Sequence, residues 1–300
     1  MIHSTAIIDA TAELDTGVEV GPYSVIGPRV RIGKNTRIGP HVVIDGFTEI
    51  GEECAIFQFA SLGAIPQDLK YRGEESRVVI GDRNTIREFV TINRGTGQAG
   101  GETRLGSNNL LMAYCHVAHD CRIGSHVVLA NAATLAGHIE LEDHAIVGGL
   151  VAVHQFVRLG SYCFIGGCSG VSQDIPPYMM ANGQRAELFG LNVEGLHRHR
   201  FPQESISNLK NAYRIIFRSG LALEKALDQA PLPRYLVPPT VVTTEDGSVH
   251  MITVLFRTTG DKTRDVLRLR RIHGIITSYP GNDRFAFHVF EGPMSWSVTR

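Results

Sequence analysis

Aromatic residues are scarce in this chain, and so is net charge. Phe, Tyr and Trp make up 7% of the 300 residues, with a single Trp, which excludes a large aromatic core. The 29 basic and 30 acidic side chains leave a net charge of −1, so no overall field favours binding to a nucleic acid. Glycine is abundant instead, with 32 residues where a chain of this length usually has about 21. This composition predicts many turns around an aliphatic interior.

Paired cysteine motifs and long apolar runs are also missing. The five cysteines are odd in number and include no C-x-x-C pair, which favours a reducing compartment. No segment approaches the roughly 18 consecutive apolar residues of a membrane span. The first residues show no basic segment followed by an apolar stretch. We therefore expect a cytoplasmic protein, with no stable membrane insertion and no nucleic-acid partner.

An aliphatic residue recurs at every sixth position over much of the chain. One series runs without a break from Ile2 to Leu62, and another, shifted by one residue, runs from Leu105 to Val171. A helix needs apolar spacings of three and four, so a strict period of six excludes it. This period is typical of a parallel β-helix, in which three hexapeptides complete a triangular coil of about 18 residues.

The hexapeptide period predicts the fold class and the domain organisation. In each unit we expect the aliphatic side chain to point inward and the following small residue or glycine to let the chain turn. The prediction is an all-β chain with a left-handed parallel β-helix over residues 1–185. A short α-helical region over 186–230 follows, with one helix that begins near Pro202 and stops at Ser219 and Gly220, and a second over residues 221–230. Residues 231–300 form an atypical tail of strands and loops, whose role the sequence leaves unknown.

The period is interrupted twice. The segments 64–77 and 93–104 break the series, and the second is rich in glycine. We interpret both as loops that leave the coil, and loops on a rigid scaffold often carry function. Insertions without any role are the alternative.

Histidines are concentrated in one part of the predicted coil. Six of the 13 lie between residues 116 and 154. Residues 18 apart should lie on neighbouring strands, about 4.8 Å from each other. This spacing gathers one patch, made of His119, Asp120, Gly137, His138 and His154.

The patch has the parts of a general-base site. A near-neutral imidazole can remove a proton from a hydroxyl or an amine, and a carboxylate can fix its tautomer. The N–H of Gly137 can face a developing oxyanion. Polar corner residues without a role are one alternative, and a zinc site like that of the gamma-class carbonic anhydrases is another. The short spacing between His116 and His119 differs from the ligand spacing of that class, so we expect no metal.

Several segments resemble the UDP-N-acetylglucosamine O-acyltransferases. The resemblance covers about residues 1–227 and includes QDLKY, CHVAHD, LANAATLAGH, VHQF and LNVEGLHR. It implies a homotrimer with active sites in the clefts between solenoids and with no cofactor. It also implies transfer of an (R)-3-hydroxyacyl chain from acyl carrier protein to the 3-hydroxyl of UDP-N-acetylglucosamine, the first step of lipid A synthesis. An N-acyltransferase that acts on a UDP-amino sugar and a non-catalytic trimeric scaffold are the alternatives.

The resemblance also implies roles for individual residues. His119 would be the general base, Asp120 its orienting carboxylate and Gly137 the donor to the oxyanion. The residues implied in substrate binding are Gln67, Asp68, Lys70, His116, His138, His154, Gln155, Asn192, Glu194 and Arg198. Gly167 stands where the family limits acyl-chain length, and a glycine there would admit a longer chain. His199 departs from the family, because many members have a second arginine at this position.

Overall fold

Three parallel sheets enclose a thin aliphatic interior in the computed structural model, which describes residues 1–221, 225–226, 252–253 and 297–298. We name the sheets faces A, B and C, in the order in which the chain first reaches them. The chain divides into two compact units, Met1–His199 and Arg200–Arg300. All three faces belong to the first unit.

Most strands are only two residues long, because each hexapeptide spends its remaining residues on a corner. Within the described residues, face A has nine strands: Ile7–Ile8, Val25–Ile26, Val43–Ile44, Ser61–Ala64, Thr91–Asn93, His116–Val117, Thr134–Leu135, Ala152–Val153 and Gly170–Val171. Over the same part of the chain, face B has eight: Glu13–Leu14, Arg31–Ile32, Phe47–Ile50, Arg77–Ile80, Glu102–Leu105, Arg122–Ile123, Glu140–Leu141 and Arg158–Leu159.

Face C ends the solenoid with a reversal. As far as the chain is described, it has ten strands: Glu19–Val20, Arg37–Ile38, Ala55–Ile56, Thr85–Ile86, Leu110–Leu111, Val128–Leu129, Ile146–Val147, Phe164–Ile165, Met179–Asn182 and Glu187–Leu191. Strand Glu187–Leu191 is antiparallel to its neighbour Met179–Asn182. Helix α1, Val193–Arg198, follows it and completes the first unit.

The second unit contains helix α2, Gln203–Arg218. The predicted stop is present, since Ser219 caps the helix and Gly220 follows with φ 70°. A two-residue pair, Ile252–Thr253 and Ser297–Val298, is antiparallel. The rest of the predicted tail 231–300 lies outside the described residues, as does most of the helix predicted over 221–230.

The hexapeptide boundary at residue 185 stays a prediction, but the structure adds a detail to the segment after it. Residues 186–230 begin with the strand Glu187–Leu191 rather than with a helix. This strand does not belong to the hexapeptide series, which ends before it in the sequence. A search for periodicity therefore could not predict it. The first helix begins only after Asn192.

Register between coils confirms the period of 18 residues. Ile26 pairs with Ile8 on one side and with Ile44 on the other. Where the two loops leave the coil, Leu62 pairs with Ile92 and Ile92 with Val117, so the extra residues are excluded from the ladder. The inward aliphatic side chains from Val20 onward are almost wholly buried. Both interruptions are therefore loops, as predicted.

The glycine that follows the aliphatic residue does not turn the chain, which corrects our expectation. The turn is made earlier in each unit by a residue with positive φ, for example Tyr23 at 58° before Ile26. Gly33 is needed for another reason, since a Cβ there would lie 2.7 Å from the carbonyl carbon of Gly51 in the next coil. The close approach of neighbouring coils excludes side chains at this position.

The Gly33→Ala variant should therefore be destabilised. The added methyl group meets backbone atoms, which cannot move aside as the end of a side chain can, so we expect a loss of about 1–3 kcal/mol in the free energy of unfolding. Denaturant titration measures it. The exposed neighbour Lys34 gives the control, because Lys34→Ala should change stability by less than about 0.5 kcal/mol. Equal stability of the two variants would contradict the close-approach argument.

Residues with positive φ recur at each corner, and several of their rings stack outside the coil. We name the corners AB, BC and CA after the faces that they join. At corner CA, neighbouring rings of one column lie 4.9–5.2 Å apart, in the order Tyr23, His41, Phe59, Phe89 and Tyr114. At corner BC, His126 stacks on His144 and His144 on Tyr162, while His199 meets both His144 and Tyr162 edge-on.

Two imidazoles at corner BC, those of His144 and His199, have a lowered pKa. Burial is the main cause that lowers the pKa of His144, and nearby His126 and His199 lower it further, against the opposing charge of Asp143. Burial also lowers the pKa of His199, as do Arg198 and His126. In the unfolded chain these groups regain their ordinary value of 6.5 and bind protons first as the pH falls. The free energy of unfolding should therefore decrease as the pH falls below 6.5.

The Tm of the protein should fall between about pH 7.5 and about pH 5.5, in part through His144. His144→Phe keeps a ring in the column but removes the proton site, so its Tm should fall less over the same interval. Differential scanning calorimetry at the two pH values makes the comparison. A fall as large in the variant as in the parent chain would exclude His144 as a contributor.

Candidate active site

The predicted patch forms at corner AB, where the chain passes from face A to face B. Strand His116–Val117 leads into this corner, and Asp120 turns it with φ 60°. One coil further, the N–H of His138 donates to the carbonyl of His119 at 3.0 Å. Coil stacking therefore places His119 and Asp120 beside Gly137 and His138, as the spacing of 18 predicts.

Asp120 is the fixed point of this site. Its side chain is 2% exposed, and its Oδ2 lies 2.8 Å from Nδ1 of His119. Thr96 donates to it twice, from the backbone N–H to Oδ1 at 2.8 Å and from the hydroxyl to Oδ2 at 2.7 Å. The N–H of Asp120 donates in turn to Oγ1 of Thr103 at 2.8 Å. A carboxylate so placed accepts the Nδ1 proton of His119, which leaves the Nε2 lone pair available as a base.

Gly137 leaves room for the imidazole of His119. A Cβ on Gly137 would lie 2.6 Å from Cε1 and 2.8 Å from Nε2 of that ring, so any side chain would displace the imidazole. Among the described residues, no group accepts a hydrogen bond from the Gly137 N–H. This donor lies next to His119 and can serve an oxyanion.

Two further imidazoles near His119, those of His116 and His138, have a lowered pKa. His138 meets His119 edge-on with 5.0 Å between ring centroids, and its Nδ1 is 3.9 Å from Oδ2 of Asp120. Burial is the main cause that lowers the pKa of His138. Burial and the nearby His119 also lower the pKa of His116, whose Nδ1 lies 2.7 Å from the hydroxyl of Thr91.

His119, Asp120 and His138 are the group in the described residues whose donor atoms are close enough to hold a metal ion. The oxygens of Asp120, however, already interact with Thr96 and with Nδ1 of His119. An ion would have to break these hydrogen bonds, so the donor set fits a proton relay better than a metal centre. We assign no metal here.

Most of the other predicted substrate-binding residues share this corner. Those on the strand that leads to it, at the corner itself or in the loop that leaves it are Gln67, Asp68, Lys70, His116, His138, His154 and Gln155. Asp68 is close enough for its charge to raise the pKa of His138, against the effect of burial. His154 and Gln155 are exposed, and Nδ1 of His154 lies 3.1 Å from the Gln155 carbonyl.

The remaining predicted residues lie at other corners. Asn192 is buried and caps α1: its Oδ1 accepts from the N–H of Gly195, and its Nδ2 donates to the carbonyl of Tyr162 at corner BC. Glu194 and Arg198 are exposed on that helix. Gly167 is at corner CA, where a Cβ would lie 3.2 Å from the Gly149 carbonyl oxygen. Neighbouring corners of one coil are joined by a strand of one face and lie at different edges of the solenoid.

Two residues of the site have no assigned role from the sequence. Thr96 opens the glycine-rich loop and reaches Asp120, which lies in the next coil. Thr96 lies among the extra residues of the loop, where the spacing of 18 residues between neighbouring coils does not hold. This spacing therefore could not predict its contact with Asp120. Phe156 stacks on His138. The spacing of 18 from His138 to Phe156 carries that contact, but the search for polar groups passed over a phenyl ring.

Thr96→Val should impair the site without unfolding it. The variant keeps the backbone hydrogen bond to Asp120 and loses the one from the hydroxyl, so we expect kcat/KM to fall roughly 10- to 100-fold as Asp120 loosens its hold on His119. Thr96→Ser, which retains the hydroxyl, is the matched variant and should stay close to the parent chain. Steady-state kinetics with a Tm measurement on each variant would test this, and equal kcat/KM for the two would reject the role.

Comparison with known proteins identifies the relatives of this chain. Residues 102–137 match the family described as bacterial transferase hexapeptide (six repeats), and residues 174–266 match Udp N-acetylglucosamine O-acyltransferase; Domain 2. An acyl-[acyl-carrier-protein]–UDP-N-acetylglucosamine O-acyltransferase of Thermodesulfovibrio yellowstonii is 55% identical over 228 residues, which is 76% of this chain and 88% of that protein. The chain belongs to the UDP-N-acetylglucosamine O-acyltransferase family.

Two further members of the UDP-N-acetylglucosamine O-acyltransferase family support this. The enzyme of that name from Herminiimonas arsenicoxydans is 58% identical over 226 residues, or 75% of this chain and 86% of the relative. The crystal structure of the Moraxella catarrhalis UDP-N-acetylglucosamine O-acyltransferase aligns with a TM-score of 0.74 and 46% identity, covering 76% of this chain and 88% of that one. The predicted left-handed parallel β-helix is confirmed. The second match reaches residue 266, inside the predicted tail.

Proposed function

We propose that this chain transfers an (R)-3-hydroxyacyl group from the thioester of acyl carrier protein to the 3-hydroxyl of UDP-N-acetylglucosamine, the first step of lipid A synthesis. It is an acyltransferase by family. The observation that carries the proposal is the pairing of His119 Nδ1 with the buried Asp120, which directs the basic Nε2 away from the carboxylate. No cofactor enters the reaction.

The proposed reaction is a direct transfer. Nε2 of His119 removes the proton of the sugar hydroxyl while that oxygen attacks the thioester carbonyl. The Gly137 N–H donates to the tetrahedral oxyanion, which lies close to the base. As the intermediate collapses, the C–S bond breaks and the carrier thiolate takes the proton from the His119 imidazolium. An ester and a free thiol are formed, and His119 returns to its neutral form.

Four of the five cysteines support transfer without an acyl-enzyme, and the fifth, Cys168, is exposed at corner CA, away from His119. Cys54, Cys115, Cys121 and Cys163 are buried free thiols, and burial raises the pKa of each, to about 11 for Cys115 and about 12 for Cys121. Buried protonated thiols are poor nucleophiles. All five cysteines are unpaired, which agrees with the proposed cytoplasmic location. No helix in the described part of the chain is long and apolar enough to cross a membrane.

The distribution of the predicted site residues over three corners supports the homotrimer that the family resemblance implies. His119 is at corner AB, whereas α1, with Glu194 and Arg198, begins at corner BC and Gly167 is at corner CA. These corners lie at different edges of the solenoid, which does not favour a single chain as the source of all these residues round one acetylglucosamine. We propose that the cleft between neighbouring solenoids joins corner AB of one chain to another corner of the next.

The purified chain should form an ester product from hydroxyacyl carrier protein and UDP-N-acetylglucosamine. His119→Ala should lower kcat by roughly 100- to 10,000-fold through loss of the base. The exposed His3 is the control, and His3→Ala should keep the parent rate. Mass spectrometry of the product distinguishes the acceptor. Turnover of a UDP-amino sugar to an amide, with no ester from UDP-N-acetylglucosamine, would show that the acceptor is wrong. Near-full activity of His119→Ala would show that the base is wrong.

A further inference from the structure

Phe156 touches two groups of the site at once. Its ring stacks on the imidazole of His138, with 4.4 Å between centroids and 7° between planes. Its backbone N–H donates to the Gly137 carbonyl at 3.2 Å. Phe156 therefore borders both the peptide next to the oxyanion donor and the imidazole next to the base.

His138 in turn contacts His119, the proposed base. Its ring meets that of His119 at 89°, with 5.0 Å between centroids, and its Nδ1 lies 3.9 Å from Oδ2 of Asp120. A flat stack on one side of His138 and an edge contact on the other leave the imidazole little freedom to rotate. The contacts run in order from Phe156 through His138 to His119.

Within a single chain, burial of the Phe156 ring does not account for its position. The residue is 66% exposed and stands in the left-handed region with φ 66°. Phe89 at corner CA is a close counterpart, with φ 59° and stacks of 5.0 and 4.9 Å on Phe59 and Tyr114. The two phenyl rings differ in what lies beneath them, since only Phe156 covers an imidazole that borders the general base.

We propose that Phe156 is a positioning residue for the proposed acyl transfer, on which this inference rests: its ring holds His138 edge-on to His119 and keeps water from one face of the His138 imidazole. Phe156 itself exchanges no proton. It acts through His138, whose orientation and neutral state leave His119 undisturbed until it takes the proton of the acceptor.

Burial and the charges around His138 predict how its pKa should change when the Phe156 ring is removed. Burial lowers its pKa most, the His119 charge lowers it as well, and Asp120 and Asp68 raise it. Loss of the phenyl ring would reduce the burial of His138 and leave the carboxylates of Asp120 and Asp68 in place. The pKa of His138 should therefore rise. A cationic His138 would then repel the imidazolium that forms on His119.

The test compares Phe156→Ala, Phe156→Tyr and Phe89→Ala by two readouts. NMR of isotope-labelled histidine follows the titration of His138, assigned by the signal that His138→Gln removes. The acid limb of the kcat/KM profile is measured in parallel. For Phe156→Ala we expect both midpoints to move up by about half a pH unit or more and kcat/KM to fall roughly 10- to 100-fold. Phe156→Tyr should retain the parent profile, and Phe89→Ala should leave both readouts unchanged.

An unchanged His138 titration in Phe156→Ala overturns the proposal, whatever the rate does. If that variant does not fold, Phe156→Asn takes its place, because asparagine tolerates a positive φ and also removes the ring, so the same shift is expected. The NMR readout needs no turnover, so it is independent of the proposed function. A parent chain that forms no ester rejects the function, whereas an active parent with an unmoved His138 rejects the role of Phe156 alone.

Discussion

Backbone hydrogen bonding between successive coils is the constraint on which the molecule depends. Most hexapeptides form only a two-residue strand, which is too short to be stable alone and becomes stable when the next coil pairs with it in register. That register places Ile26 against Ile44 in the core, and it also sets His138 beside His119 at corner AB. Core and candidate site are thus two results of one spacing.

The same spacing explains what the sequence could and could not predict. The position of His138 next to Asp120 follows from counting, because nothing interrupts the coil between them. The contact of Thr96 with Asp120 could not be predicted, because Thr96 lies within one of the two stretches that depart from the period. A glycine such as Gly33 was predicted to let the chain turn, but it is needed because the next coil lies so close. A single hexapeptide carries no information about this contact between coils. The strand Glu187–Leu191 is not repeated and therefore had no periodic signal.

The division of roles among the corners also has a physical basis. A triangular coil offers three edges, and each holds side chains in a column along the solenoid. Both loops leave at corner AB, where His119 lies, while Asn192 fixes α1 at corner BC. Residues in one column can cooperate closely, whereas residues in different columns of one chain are held apart by rigid faces. In our proposal this rigidity is what makes each active site depend on two chains.

The reversal at strand Glu187–Leu191 has a consequence for solubility. A parallel ladder can in principle be extended by any further strand that offers the same hydrogen-bonding groups, so an open end invites pairing with other molecules. On face C the last parallel strand, Met179–Asn182, is already paired with a strand that runs the opposite way, and α1 follows directly. On this face, the antiparallel strand takes the place that another copy of the solenoid would need for end-to-end growth into a fibre.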